Sequence, residues 1–487
     1  MRIPSTPPDE AVIAPTFHRL AWRTEPKSKI VCTIGPASQA EEQLQALIQA
    51  GADVIRLNFS HGTHEEHAQV IARVRRIAAQ LNVPVAILQD LAGPKVRIGT
   101  FTDGSITLNA GESFTLTTRS VVGTQHEVSV SYAHLPQEVK PGDTLLLADG
   151  AIVLDVRQVT VEDIHCEVTV GGILSAHKGV NCPSGLFHLP ILSAKDLVDL
   201  QFGIDHQLDY IGLSFVRTAE DIRVAKSAVA QRGGSIPIIA KIETHAALGH
   251  IDEIITATDG VMVARGDLGI ETPFARVPLV QKQLIAKANQ QAKPVITATQ
   301  MLWSMVNAPR PTRAEAADVA NAVIDGTDAL MLSEETAIGR YPLQAVQAMA
   351  AIASAAEDSD SWLTAREREG ASPSEAELMA QAVCHIAAAR KLEAIITVTL
   401  EGTSARLVAK YRPSQPILAA TPRIDTYQRL ALIRGVTPLL LPPGITTREG
   451  MIERTKKFMR ATRGQGRTVI VFSSVSAEHN MLFTDQV

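Results

Sequence analysis

No apolar run in this 487-residue chain is long enough to span a membrane, so no membrane partner is expected. Basic runs with interleaved aromatics are also missing. The net charge of −5 offers no electrostatic attraction for nucleic acid. Only four cysteines occur, Cys32, Cys166, Cys182 and Cys384, far apart and in neither zinc nor paired-redox spacing. They read as reduced structural thiols in a cytoplasmic setting. The opening stretch, MRIPSTPPDEAVIAPTFHRL, has no signal-peptide core, and residues 1–24 read as a flexible arm.

What is present is ordinary for a globular protein: 45% hydrophobic and 20% charged residues, in a chain too long for one domain. From Lys29 onward, short β-rich runs alternate with helical ones. The strand-like runs are 29–34, 53–59, 85–90, 210–216, 238–243, 260–267, 294–300 and 329–335. Helical patterns separate them, including one at 245–258 with apolar residues at Ala247, Leu248, Ile251, Ile254 and Ile255. Eight strands with intervening helices is the count of a closed βα (TIM) barrel. Between Pro94 and about Pro190 the alternation stops, and short strands punctuated by Gly and Asp take over. This all-β insertion sits at the active end of the barrel and reads as a lid that excludes water. A polar stretch follows Asp360, and a renewed α/β alternation then predicts an open-sheet C-terminal domain. The expected division is therefore barrel 25–94 and 191–359, lid 95–190, and C-terminal domain 373–487.

Chemistry collects where α/β proteins place it, at the carboxyl ends of the strands. The second strand contributes Arg56, Asn58 and Ser60, and the third Asp90. Lys241 and Glu243 end the fifth, Arg265 and Asp267 the sixth, Thr299 the seventh, and Ser333 with Glu335 the eighth. The cations suit an anionic substrate, and the carboxylates suit a hard divalent ion whose shell water and phosphate oxygens complete. Phosphoryl transfer needs that combination.

The segments IRLNFSHG (55–62), KGVN (178–181), KIE (241–243), MVARGDLG (262–269), ATQML (298–302), PRPTRAEAADVANAV (309–323) and MLSEETA (331–337) closely resemble the pyruvate kinase family. The resemblance extends over nearly the whole chain, including the domain order. It implies phosphoryl transfer from phosphoenolpyruvate to ADP, giving pyruvate and ATP, in a homotetramer. By the same resemblance Glu243 and Asp267 hold Mg²⁺ or Mn²⁺, while Lys241 and Arg56 grip the phosphoryl group. Thr299 and Ser333 relay the proton to the enolate carbon. Gly266 and Asp267 present N–H groups to the substrate carboxylate. Asn58, His61, Asp149 and Lys178 face the nucleotide. A barrel lyase or aldolase would share the Arg, Glu and Asp at strand ends, but would need neither Lys241 nor the two extra domains.

This chain departs from the family pattern at the monovalent-cation site. Asn58, Ser60 and Asp90 occupy potassium-site positions, but Leu91 stands where a threonine is usual, and Lys95 replaces an acidic residue. An ammonium at Lys95 would supply the charge that potassium supplies elsewhere, so potassium is not expected to be required. Glu334 and Trp303 also depart from the family, with no mechanistic account. In the C-terminal domain, Thr399, Gly402, Thr403 and Ser404 form a loop shaped like a phosphate cradle before a helix. Glu401, and Leu400 where a lysine would be needed, weaken a bisphosphate reading. A sugar-phosphate or nucleotide effector is the remaining expectation.

Overall fold

The computed structural model describes residues 26–183, 189–358, 373–445, 447–463, 468–474 and 480–486. The expected N-terminal arm, most of the polar stretch after Asp360, and residues 475–479 lie outside the described residues. Eight parallel strands close into a barrel: β1 (Lys29–Thr33), β2 (Ala52–Asn58), β3 (Ala86–Asp90), β4 (Tyr210–Leu213), β5 (Ile238–Ile242), β6 (Gly260–Ala264), β7 (Val295–Ala298) and β8 (Ala329–Leu332). β3 to β8 are buried at every position, as strands must be when helices cover one face and a packed interior fills the other. Val31, Val54, Leu88, Ile239, Met262 and Ile296 fill the interior.

The barrel floor is closed from outside. Ala431 and Leu432, both in a short 3₁₀ turn of the C-terminal domain (Leu430–Leu432), join that interior cluster. The Tyr210 hydroxyl donates to the Arg429 carbonyl at 2.8 Å. Arg412 reaches from the same domain to Asp328 at 2.6 Å, with both side chains under a tenth exposed. The mouth at the other end is left for chemistry.

Between β3 and β4 the chain forms a six-stranded and a two-stranded sheet around a separate apolar core that includes Phe114, Leu116, Leu145 and Leu154. Its entry is a tight corner. Gly93 has φ +69°, and a Cβ there would stand 2.8 Å from that of Ser214. Only glycine fits.

The C-terminal sheet has the order β11-β10-β9-β12-β13, made from β9 (Ala394–Val398), β10 (Ile417–Thr421), β11 (Val436–Leu440), β12 (Thr468–Ser474) and β13 (Asn480–Gln486). Sequence alternation anticipates the four parallel strands but not β13, which runs antiparallel to β12. Two further differences are local. The single helix expected over 245–258 is two, His245–Gly249 and Ile251–Ala257, broken at His250 (φ −118°, ψ 15°). The fourth and seventh strands end early because Phe215 (φ 58°), Thr299 (φ 69°) and Gln300 (φ 54°) turn the backbone into the left-handed region. All four cysteines are buried and none is in a disulfide, and no helix among the described residues is long and apolar enough to cross a membrane.

Candidate active site

At the barrel mouth, Asp90 is the hub. Its carboxylate takes the Arg56 Nε–H at 2.6 Å and faces the Lys241 ammonium at 2.9 Å, with only 1% of the Asp90 side chain exposed. Burial works to raise the Asp90 carboxyl, but the Arg56 and Lys241 charges outweigh it and hold it below its ordinary value. Lys241 also lies 3.0 Å from Glu243 Oε1 and donates to Ser214 Oγ at 2.6 Å. Burial favours neutral lysine here, yet Asp90 and Glu243 more than offset it and hold the ammonium well above its usual range. Lys241 is thus a fixed positive charge pointing into the mouth. Arg56 spends one further N–H on Thr33 Oγ1 at 2.9 Å.

Glu243 is pinned by the Phe215 N–H at 2.8 Å, which is what the left-handed turn at Phe215 achieves. Burial pushes its carboxyl up, with Asp267 and Asp90 adding to the shift and Lys241 opposing it. An environment that penalises a bare carboxylate in this way suits a bound cation. No cluster of three or more His, Cys, Asp or Glu side chains among the described residues is placed to hold an ion. A two-carboxylate site fits a hard divalent ion that keeps water and substrate oxygens in its shell.

Arg265 does not join the cluster. Its guanidinium turns outward to Asp318 at 2.7 Å and to the carbonyls of Ala298 (3.2 Å) and Thr299 (2.7 Å). It braces the β7 exit instead. Thr299 Oγ1 donates to the Ala298 carbonyl at 2.6 Å and accepts the Gly266 N–H at 2.8 Å. Ser333 Oγ is buried and has no hydrogen-bond partner among the described residues. Glu335, fully buried, accepts the N–H groups of Leu302 (3.1 Å) and Ser333 (2.7 Å), stapling the β7 and β8 loops together.

Two family profiles match the chain: pyruvate kinase, barrel domain, over residues 25–346, and pyruvate kinase, alpha/beta domain, over residues 377–482. The chain belongs to the pyruvate kinase family. It is 50% identical over 419 residues to "Pyruvate kinase 2" of Synechocystis, covering 85% of this chain and 71% of that one. It is 42% identical over 467 residues to the pyruvate kinase of Clostridium acetobutylicum, covering 94% and 98%. The crystal structure of a pyruvate kinase from Cryptosporidium parvum superposes with a TM-score of 0.87 at 35% identity, covering 95% and 96% of the two chains. Members of this family are phosphotransferases, and a divalent metal is general among them.

The remaining positions singled out in the sequence fall around this centre. Asn58 Oδ1 accepts the Ser60 N–H at 3.1 Å, and Ser60 and His61 are exposed. The His61 carbonyl is held by His67 Nε2 at 3.0 Å, and the His67 ring stacks on Phe59 at 4.3 Å. Leu91 is buried. The Lys95 ammonium does not sit with Asn58, Ser60 or Asp90. It lies 3.3 Å from Asp267 Oδ1 and 3.4 Å from Asp149 Oδ1 of the lid. Lys178 is exposed on the lid. In the C-terminal loop, Gly402 (φ +81°) donates its N–H to Thr399 Oγ1 at 2.8 Å, and Ser404 is buried. Arg406 donates to the Glu401 carbonyl at 3.0 Å and Thr403 Oγ1 at 3.3 Å, giving the loop a cation that the sequence pattern did not single out. Ser214 and Thr33 were missed as well. A strand-end hydroxyl carries no sequence signal until its partner is known.

Proposed function

We propose that this enzyme transfers the phosphoryl group of phosphoenolpyruvate to ADP, giving pyruvate and ATP, the last step of glycolysis. The observation that carries this reading is the buried Arg56–Asp90–Lys241–Glu243 chain, with Asp267 beside it. It sets two permanent cations against a carboxylate pair at one barrel mouth. Glu243 and Asp267 would hold the divalent ion, Mg²⁺ or Mn²⁺, which supplies charge neutralisation for the phosphoryl oxygens when bound.

Lys241 and Arg56 bind the moving phosphoryl group. Both are already held in place by Asp90, so little reorganisation accompanies the transfer. The Gly266 N–H, now spent on Thr299 Oγ1, is exchanged for the substrate carboxylate, with the Asp267 N–H beside it. That exchange opens an acceptor position on Thr299 Oγ1, whose own proton rests on the Ala298 carbonyl at 2.6 Å. Thr299 and the uncommitted Ser333 hydroxyl then pass a proton, through water, to the methylene carbon of the enolate left behind. Asn58, His61, Asp149 and Lys178 face the nucleotide.

Potassium is not required in this reading, because Lys95 keeps a positive charge permanently in the cleft. A sugar phosphate or nucleotide at Thr399, Gly402, Thr403 and Ser404 is the candidate effector, with Arg406 as its cation, and the assembly is a homotetramer in the cytoplasm. The test is a coupled assay for pyruvate with phosphoenolpyruvate, ADP and Mg²⁺. Pyruvate formation that depends on all three supports the reading, and its absence contradicts it. Repeating the assay with tetramethylammonium in place of potassium should leave the rate unchanged. A large fall there would contradict potassium independence alone.

A further inference from the structure

The Arg56 guanidinium is held at two places, and the second hold comes from an uncharged side chain. Asp90 takes one edge, with the Nε–H donating to Oδ2 at 2.6 Å and Nη2 lying 2.5 Å from the same oxygen. A planar group gripped along one edge can still swing about that edge. Thr33, the last residue of β1 and the cross-strand partner of Arg56, removes this freedom. Its Oγ1 accepts an N–H of Nη1 at 2.9 Å. The Thr33 side chain is itself fixed. Oγ1 donates its own proton to the Leu332 carbonyl at 2.9 Å, so only lone pairs are left to face the guanidinium. The Thr33 carbonyl in turn accepts the Thr336 hydroxyl at 2.8 Å. One buried hydroxyl thus joins the ends of β2, β1 and β8, which are neighbours in the barrel. Valine would suit the strand as well, so strand propensity does not account for the hydroxyl.

We propose that Thr33 is a positioning residue for phosphoenolpyruvate, setting the plane of the Arg56 guanidinium so that its free N–H groups meet the phosphoryl oxygens. This rests on the reading of Arg56 as a phosphoryl-binding residue. At least one N–H on each terminal nitrogen has no acceptor among the described residues. Donors on two nitrogens of one rigid plane match two oxygens of one phosphoryl group. The match is strongest when the plane is set before the substrate arrives. Asp90 supplies the charge that keeps the arginine at the mouth, and Thr33 supplies the angle. Loss of the hydroxyl leaves the Arg56 charge in place and spoils its aim. The nucleotide, faced by other residues, is left alone.

The test is steady-state kinetics with each substrate varied in turn at saturating Mg²⁺. Thr33→Val keeps the shape of the side chain and removes the hydroxyl. It should raise the KM for phosphoenolpyruvate about tenfold, within the loss of up to about 100-fold that misplacing an aligned group brings. The fall in kcat should be smaller, and the KM for ADP should not change. Thr33→Ser, which keeps the hydroxyl, should restore most of the loss. An unchanged KM for phosphoenolpyruvate in Thr33→Val overturns the proposal. So does an equal rise in the KM for ADP, the mark of general disorder at the mouth. If Thr33→Val does not fold, Thr33→Cys, whose sulfur accepts weakly, takes its place with the same expectations.

Arg56→Lys separates the two readings, because it keeps the charge but has no plane to orient. If it leaves phosphoenolpyruvate kinetics intact, the phosphoryl-binding assignment of Arg56 fails and this proposal with it. If it impairs them while Thr33→Val does not, only the Thr33 proposal fails. The double variant reads the coupling directly. Thr33→Val added to Arg56→Lys should cost little more than Arg56→Lys alone, since a residue acting through Arg56 then has nothing to position. Full additivity of the two losses overturns the proposal.

Discussion

Arg265 and Asp318 meet at 2.7 Å on the outer side of the barrel mouth, and that pair removes a cation from the group the strand ends bring together. The same guanidinium holds the carbonyls of Ala298 and Thr299, the residues on either side of the strand-to-loop junction at β7. Arg265→Lys keeps the charge but loses the planar fork that serves several acceptors at once. It should cost about 1–3 kcal/mol of stability, as loss of charged hydrogen bonds at a half-buried site does. Turnover should fall while Mn²⁺ affinity stays put. A thermal unfolding scan beside a Mn²⁺ titration checks both, and weakened Mn²⁺ binding would return Arg265 to the metal site.

Asp90 compensates two cations at once. Asp90→Asn leaves Arg56 and Lys241 facing a neutral amide, with Glu243 the one remaining acid beside Lys241. Breaking a buried pair by removing one partner costs about 3–5 kcal/mol, and that loss is expected here. Equilibrium unfolding of the variant reads it directly. A stability within error of wild type would mean that water enters the site and takes the place of the carboxylate.

Glu315 gives a pH-dependent signature away from the metal site. Its carboxylate accepts the Ser304 N–H at 2.7 Å and the Thr312 N–H at 2.7 Å, and both hydroxyls of those residues also turn to it. Burial would raise its carboxyl, but these hydrogen bonds win and hold it below the ordinary value of 4.5. The stability it contributes is therefore full above about pH 4.5 and is lost as pH falls through the lowered value. Glu315→Gln should flatten the acid limb of stability in that window. An unchanged acid limb would place the acid sensitivity elsewhere.

The loop at Thr399 can be tested without knowing its ligand. Gly402 sits at φ +81°, and a Cβ there would stand 3.2 Å from Arg406 and Leu430 atoms. Gly402→Val should abolish any response to a panel of sugar phosphates and nucleotides, with basal turnover unchanged. A response that survives would move the effector site to another part of the molecule.

How far the sequence reaches into this site depends on where each side chain leaves the strand. Lys241 is in β5 and Arg56 in β2, so parallel topology alone brings them to one mouth, and their meeting was legible. Arg265, Phe215 and Lys95 lie just past strand ends, where local φ and the first helical turn decide the direction. Periodicity carries no such information. That is why Arg265 was placed among the site cations and turned out to face Asp318. It is also why Lys95 was grouped with Asn58, Ser60 and Asp90, whereas its ammonium reaches Asp267. The antiparallel β13 was missed for a related reason. Its sequence, NMLFTDQ, alternates too weakly to signal a strand, and pairing with β12 supplies what propensity does not.

The most direct test concerns the one charge that everything at the mouth is built to hold. Lys241→Met keeps the length of the side chain and removes the ammonium that Asp90, Glu243 and Ser214 surround. Turnover of phosphoenolpyruvate and ADP to pyruvate, measured with saturating substrates and Mg²⁺, should fall at least about 100-fold, as loss of one preorganised charge does. Turnover near that of the wild type would contradict the account.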